Sequence, residues 1–499
     1  MATQLVPYNT AMQLGSGFNS FTQTLCINNA VVREPEAVTE NGAGVSSTEN
    51  DKKVGIKEEV KHISQSVTYK TSIINKTTDV TGIMNITGAF SILNDQLQVE
   101  GSGKFIDTNK IKESDFSVMV SVKVVNQVIY DHALTKFQPI PNIKDISQKH
   151  LVEIYGDSFI SGWQEGGEFL AVMSIKAKNR NESQDIAAQA KIAFTRTKDQ
   201  VKETDPKDPN KLKIDVDAKF EKFKKSLTAE NEVAVSVTWT GGGQNLKHPE
   251  KDWDFDTMRD VALKFPDLCA KTPMRTHALL TKYTALRSFY SAHLFELPVY
   301  DKTGTYTNIL EEAYLDYKAI LGTIQVLAYN VCEGKKALVV NPNSEGAVTQ
   351  TQAILDRTSN QASEKSAQEP SPDTDNASPK DDTINPTTTI AKGPSKVINS
   401  PPLLVTKAFS TTIAGLEEAR IMCRFMMNRI VQEINNITIN PEIASDENRP
   451  LPFQSPFLFK LLLPLAIDVE LKNTAAGQAL AASKVNPDAL TNKLLNLSD

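Results

Sequence analysis

Four segments of this chain carry the residue pattern of half-buried strands, and the distances between them constrain the fold more than any single motif. Residues 63–74 (ISQSVTYKTSII), 116–128 (FSVMVSVKVVNQV), 168–178 (EFLAVMSIKAK) and 232–239 (EVAVSVTW) are rich in β-branched residues and partly alternate apolar with polar. They fall into two pairs, and each pair encloses a long insert. The first insert, 75–115, has about forty residues and the second, 179–231, about fifty, lengths that a compact domain rarely carries as structureless loop.

Both inserts are patterned. In the first, Met84, Ile86, Gly88, Phe90 and Ile92 alternate with Asn85, Thr87, Ala89 and Ser91, and a second run sets Leu97, Val99 and Phe105 against Gln96, Gln98 and Lys104. In the second insert, Ala190, Ile192 and Phe194 alternate with Gln189, Lys191 and Thr195, and further on Leu212, Ile214, Val216 and Phe220 alternate with Lys211, Lys213, Asp215 and Lys219. Each run is about nine or ten residues, the length a tilted strand needs to cross the hydrocarbon core of a bilayer. A barrel strand must turn apolar side chains to lipid and polar ones to the lumen, because backbone groups in lipid are satisfied only in a helix or a closed barrel. Half-exposed strands of a soluble sheet share this period of two. The placement, one hairpin per insert and each between paired strands, favours the membrane reading. Its inserting candidates are Met84, Ile86, Phe90, Ile92, Leu97, Val99, Ala190, Ile192, Phe194, Leu212, Ile214, Val216 and Phe220. Residues 185–193 and 219–229 are also rich in helix formers. Segments with two competing local preferences suit refolding, so a water-soluble form with short helices packed on the sheet is expected.

Between the strand pairs lies YGDSFISGWQEGGEF, residues 155–169. Tyr155, Gly156 and Phe159 are followed after six residues by Gly166 and Gly167, and consecutive glycines beside a strand permit a sharp bend or a close backbone approach. The arrangement resembles the signature of the membrane attack complex/perforin superfamily: aromatic-Gly-Thr/Ser-His-aromatic, six residues, Gly-Gly. Here Asp157 and Ser158 occupy the Thr/Ser and His positions. The segment 97–122 (LQVEGSGKFIDTNKIKESDFSVMVSV) is similar to the stonefish-toxin branch of that superfamily, and the glycine turn at Leu14–Phe18 resembles the opening of such domains. The resemblance covers roughly half the chain, about 63–243 with that opening turn. It implies an α+β fold, a bent four-stranded antiparallel sheet flanked by two helical clusters that unfurl into hairpins and build a β-barrel from a ring of subunits. The implied partners are a target lipid membrane, further copies of the chain and a partner protein for targeting. Gly166, Gly167, Gly241, Gly242 and Gly243 would then let the sheet straighten. A non-lytic interaction or adhesion protein on the same fold is the alternative.

The remaining sequence reads as an N-terminal strand and flexible segment (1–58), the core (59–245), a helical region (246–342), a disordered linker (343–400) and a second helical region (401–499) packing back on the first. Residues 25–32 read as one strand, and 252–264, 274–290, 307–331 and 411–434 as helices. The long pair carries apolar stripes at Ile309, Ala313, Tyr317, Ile320, Ile324, Leu327 and Val331, and at Leu416, Ala419, Cys423, Met426, Ile430 and Ile434. Met422, Phe425 and Met427 read as core. Net charge is −6 and no basic domain stands out, which argues against a nucleic-acid partner. Cys26, Cys269, Cys332 and Cys423 are scattered, so free buried thiols are expected. No HExxH, GxSxG or P-loop occurs and the six histidines show no ligand spacing, so neither enzyme activity, cofactor nor metal is expected. The N-terminus lacks a basic segment followed by an apolar run, and a sequon falls at Asn85-Ile86-Thr87, where a glycan would obstruct refolding. Cytoplasmic synthesis or unconventional release, without a signal peptide, is therefore expected.

Overall fold

The computed structural model describes residues 4–34, 64–74, 77–94, 97–99, 104–106, 111, 114, 116–141, 148–176, 232–248, 250–292, 296–366, 401–447 and 449–469. They divide into two compact units, with the boundary between Pro298 and Val299.

The first unit is mixed α+β. Its order is β1 (Gln4–Pro7), β2 (Gly17–Asn19), β3 (Thr24–Leu25), β4 (Val31–Arg33), β5 (Ser66–Ile74), α1 (Thr77–Ile83), α2 (Gly88–Asn94), β6 (Leu97–Val99), β7 (Lys104–Ile106), β8 (Phe116–Tyr130) and β9 (Leu134–Phe137). Then come α3 (Gln148–Tyr155), β10 (Ser158–Lys176), β11 (Glu232–Thr240), α4 (Phe255–Lys271), β12 (Met274–Lys282) and α5 (Arg287–Ala292). Strands β5, β8, β10 and β11 lie side by side in that order, each antiparallel to its neighbour. Ile74 faces Ser117, and Ile175 faces Phe116 and Val233. Both inserts therefore leave from the same end of the sheet.

Because successive side chains in a strand point to opposite faces, the sheet has two distinct sides. On one, Val118, Val120, Val122 and Val124 of β8 join Phe169, Ala171, Met173 and Ile175 of β10 against Met258, Val261, Phe265 and Cys269 of α4. That helix starts at a reciprocal capping box between Asp254 and Thr257, which satisfies its first free N–H groups. The opposite side is mixed. Met119, Leu170 and Val172 meet the apolar residues of the first insert, while Ser117, Ser121, Lys123, Glu168 and Ser174 share their rows.

Several expectations are corrected here. Residues 274–282 form a strand, β12, between β1 and β10, and not a helix. Residues 276–280 are buried on both faces, so the segment has lost the alternation that marks a half-exposed strand. Helix α4 continues through Pro266 to Lys271, past the expected end at Lys264. The strand read at 25–32 is two pieces, β3 and β4, separated by a turn in which Asn29 has φ 56°. Strand β10 begins at Ser158, before the glycine pair, which therefore sits inside a 19-residue strand.

The second unit contains α6 (Gly304–Cys332), β13 (Lys336–Val339), α7 (Ser344–Ser366), α8 (Ile413–Ile439), α9 (Pro456–Leu462) and β14 (Leu465–Asp468). Helices α6 and α8 pack together, Cys423 Sγ donating to Tyr317 O at 3.1 Å. The α8 stripe from Leu416 to Ile434 is buried as expected, and so are Ala313, Tyr317, Ile320 and Ile324 of α6. Ile309 and Phe425 are exposed instead, with Leu310 and Tyr314 taking the inward positions of the first turns of α6, and Leu327 and Val331 are only half-buried. Residues 344–366, read as the start of a disordered link, are helical. Ala347 and Thr351 give α7 a small buried contact that composition alone does not reveal. Cys269 and Cys423 are buried, but Cys26 is half-buried and Cys332 exposed. Among the described residues no helix is long and apolar enough to cross a membrane.

Candidate functional site

The signature residues lie where the N-terminal hairpin crosses the start of β10. Tyr155 ends α3 and is fully buried, its hydroxyl accepting from Ile140 N at 2.7 Å. Its carbonyl accepts from Tyr283 Oη at 2.7 Å, and Phe159 stacks on the Tyr283 ring at 5.8 Å. Gly156 has φ 72°, and a Cβ there would sit 2.2 Å from Phe18 O, so a side chain is excluded by both conformation and space. Asp157 is buried and accepts from Ser20 N and Ser20 Oγ, both at 2.6 Å. Burial pushes its carboxyl above the usual range, while the hydrogen bonds from Ser20 and Ser158 pull the other way.

The hinge candidates converge on one junction further along the strand, at Gly166 and Gly167. Along one edge, residues 158–166 of β10 pair with β12, and residues 168–176 pair with β11. The partner changes at the glycine pair. On the other edge β8 runs past with a register shift between Glu165 and Gly166, a bulge of the kind that bends a strand. The turn after β11 folds onto this point. A Cβ on Gly241 would lie 2.5 Å from Gly166 O and 3.0 Å from Gly167 Cα. A Cβ on Gly167 would meet Cys269 Sγ at 2.1 Å and Phe265 Cε1 at 3.1 Å. Gly242 N donates to Thr272 O at 3.0 Å, Asn126 Nδ2 to Cys269 O at 3.1 Å, and Gln65 Nε2 to Pro266 O at 3.1 Å. The C-terminal turn of α4 is thus tied to β8, to the segment before β5 and to the glycine turn. Nothing in the sequence links Phe265 and Cys269 to this junction, since only the fold brings them there.

The first insert packs helices α1 and α2 and the turn between them on the sheet. Its run 84–92 is not a strand here: Met84, Asn85, Ile86 and Thr87 form the turn between α1 and α2, and Ile92 lies in α2. Met84 and Ile86 pack with Val80, Met119, Leu170 and Val172, with Phe90 against the edge of the cluster. Ile92 is buried. Leu97 and Val99 lie in β6, paired antiparallel with β7. A cleft of about 160 Å³ separates α1 from the sheet, lined by Lys70, Met84, Lys123, Glu168, Leu170 and Thr238 among others. Lys123 Nζ is 3.4 Å from Glu168 Oε1, and His277 Nε2 reaches the same oxygen at 3.4 Å. The second-insert candidates Ala190, Ile192, Phe194, Leu212, Ile214, Val216 and Phe220 lie outside the described residues.

Among the described residues no group of three or more His, Cys, Asp or Glu side chains could hold a metal ion. No family model matches the sequence. A search of curated proteins also finds no match. Solved structures do. The chain is similar to stonustoxin, at 10% identity and a TM-score of 0.33, over 71% of this chain and 40% of that one. It is similar to GNIP1Aa from Chromobacterium piscinae, at 13% identity and a TM-score of 0.26, over 57% of this chain and 53% of that one. A third structure, described as "Trapped Toxin", matches at 13% identity and a TM-score of 0.23, over 45% of this chain and 40% of that one. The chain therefore spans about half or less of the length of each.

Proposed function

We propose that this is a pore-forming protein of the membrane attack complex/perforin type, which assembles as a ring on a target membrane and inserts one amphipathic hairpin from each insert. The observation that carries the reading is the placement of the two inserts. Each continues a pair of adjacent antiparallel strands, both leave from one end of the sheet, and α1 and α2 of the first rest on a sheet face that mixes polar with apolar residues. Extending β5 and β8 through 75–115, and β10 and β11 through 179–231, lengthens a ladder that already has the right register. The hinge is Gly166–Gly167 with Gly241–Gly243, where straightening the sheet requires α4 to withdraw. Edge strands β5 and β11 would pair with neighbouring subunits. Targeting by a partner protein, and synthesis in the cytoplasm with unconventional release, belong to the same proposal; an enzymatic role does not.

The test is dye release from phosphatidylcholine–cholesterol vesicles by the wild-type chain and by a Met84→Cys/Leu170→Cys variant, two positions that line the same cleft. Oxidation to the disulfide, verified by mass, should abolish release, and reduction should restore it. Equal release from the oxidised and reduced variant would exclude deployment of the first insert. A chain that binds vesicles as a monomer without leakage would favour the non-lytic alternative.

A further inference from the structure

The turn between α1 and α2 is held by more than its apolar contacts. Asn85 has φ 55° and closes α1 as the left-handed residue of a Schellman motif, Ile86 N donating to Thr81 O at 2.9 Å and Asn85 N to Gly82 O at 3.3 Å. Glycine is the usual residue at such a position. Asparagine instead puts its Nδ2 at 2.8 Å from Nε2 of the fully buried His277. Thr87 caps α2, its Oγ1 accepting from Phe90 N, and the same hydroxyl donates to Phe21 O at 2.7 Å. Gln23 clasps the turn from outside, Nε2 donating to Asn85 O at 2.7 Å and Oε1 accepting from Thr87 N at 3.3 Å. Gln23 itself sits at φ 53°, so a second non-glycine residue is held left-handed at the same contact.

These bonds continue to the signature. Gln23 and Phe21 form the tip of the β2–β3 hairpin, and its Ser20 is fixed by the two hydrogen bonds to Asp157. The tip therefore bridges the signature segment to the first insert. We propose that the contact of Gln23 and His277 with Asn85 and Thr87 is an autoinhibitory latch: it holds the first insert in its helical form, and opening it limits the rate at which that insert leaves the sheet. This inference rests on the reading that the first insert deploys.

Hydrogen exchange on the soluble full-length chain tests the latch without any membrane. Gln23→Ala removes both clasping bonds, and Asn85→Gly keeps the left-handed cap while removing only the bond to His277. Each variant should exchange the α1 and α2 amides about tenfold faster, with β8 and β10 unchanged. Unchanged exchange in α1 and α2, or acceleration shared equally by β8 and β10, overturns the latch. Leakage from phosphatidylcholine–cholesterol vesicles forms the second arm, and Gln23→Ala should release dye about tenfold faster than wild type. Wild-type leakage with no acceleration in Gln23→Ala overturns the rate-limiting role. Faster exchange with no leakage from either chain supports the contact as the insert's restraint and removes the pore-forming reading instead.

Discussion

The glycine junction makes a quantitative prediction about one pair of residues. In Gly167→Ala the new Cβ falls 2.1 Å from Cys269 Sγ, against an ordinary contact of 3.4–4 Å, so the sulfur must retreat by more than 1 Å or α4 must lift. Overpacking of this kind costs about 1–3 kcal/mol. Cys269→Ala alone removes one buried atom and costs about 1 kcal/mol. With the sulfur gone, the alanine methyl at 167 occupies the space it leaves. Only the looser approaches to Thr240 O and Phe265 Cε1, at 3.0 and 3.1 Å, then remain to be eased. The double variant should therefore be more stable than the sum of the single changes by about 1–2 kcal/mol. Gly241→Ala is the contrast, since its obstacle is the backbone oxygen of Gly166 and its φ is 79°, so no partner substitution should rescue it. Urea unfolding followed by tryptophan fluorescence reads the first unit selectively, because Trp163, Trp239 and Trp253 all lie in it. Additive single-site effects, or a harmless Gly167→Ala, would refute the packing argument.

Three further outcomes follow from named contacts. Asp157 has a folded-state pKa above its unfolded value, so its contribution to stability falls as pH rises from about 4 through the raised value. Thermal melts should accordingly show wild type losing ground to Asp157→Asn over that window, and parallel profiles would contradict it. In the second unit, Arg449 forms a two-pronged ion pair with Glu433, which is 1% exposed and also bonded by Tyr306. Arg449→Ala leaves that carboxylate without its cation and should cost about 3 kcal/mol, measured by far-ultraviolet circular dichroism in urea. Tyr283→Phe deletes the bond to Tyr155 O while keeping the aromatic stack, so a loss of about 1 kcal/mol is expected in the same fluorescence assay.

The strands at β5, β8 and β11 were legible because each has one apolar face and one polar or half-exposed face, which prints a period of two on the sequence. The two inserts followed from the spacing alone. β12 was not legible: residues 276–280 (THALL) are buried on both sides and show no alternation, and its partners β1 and β10 lie far away in the chain. The glycine pair could be found but not placed. Its position inside β10 depends on a change of neighbour from β12 to β11, which no local pattern records. The latch was hidden for the same reason. Asn85 and Thr87 look like the polar half of an alternating run, and their partners Gln23 and His277 are 62 and 192 residues distant from Asn85. Helix α7 leaves little trace in the sequence because small residues, Ser344, Ala347 and Thr351, anchor its first turns.

The handover along β10 has a mechanical meaning. A strand flanked by one continuous neighbour on each side cannot flex without tearing a run of backbone bonds. Here the ladder to β12 ends at Gly166 and the ladder to β11 starts at Glu168, so on that edge the two halves of the strand answer to different companions. On the opposite edge β8 crosses the step, and its register shift there, between Glu165 and Gly166, is where that ladder can give while the two on this edge stay fastened.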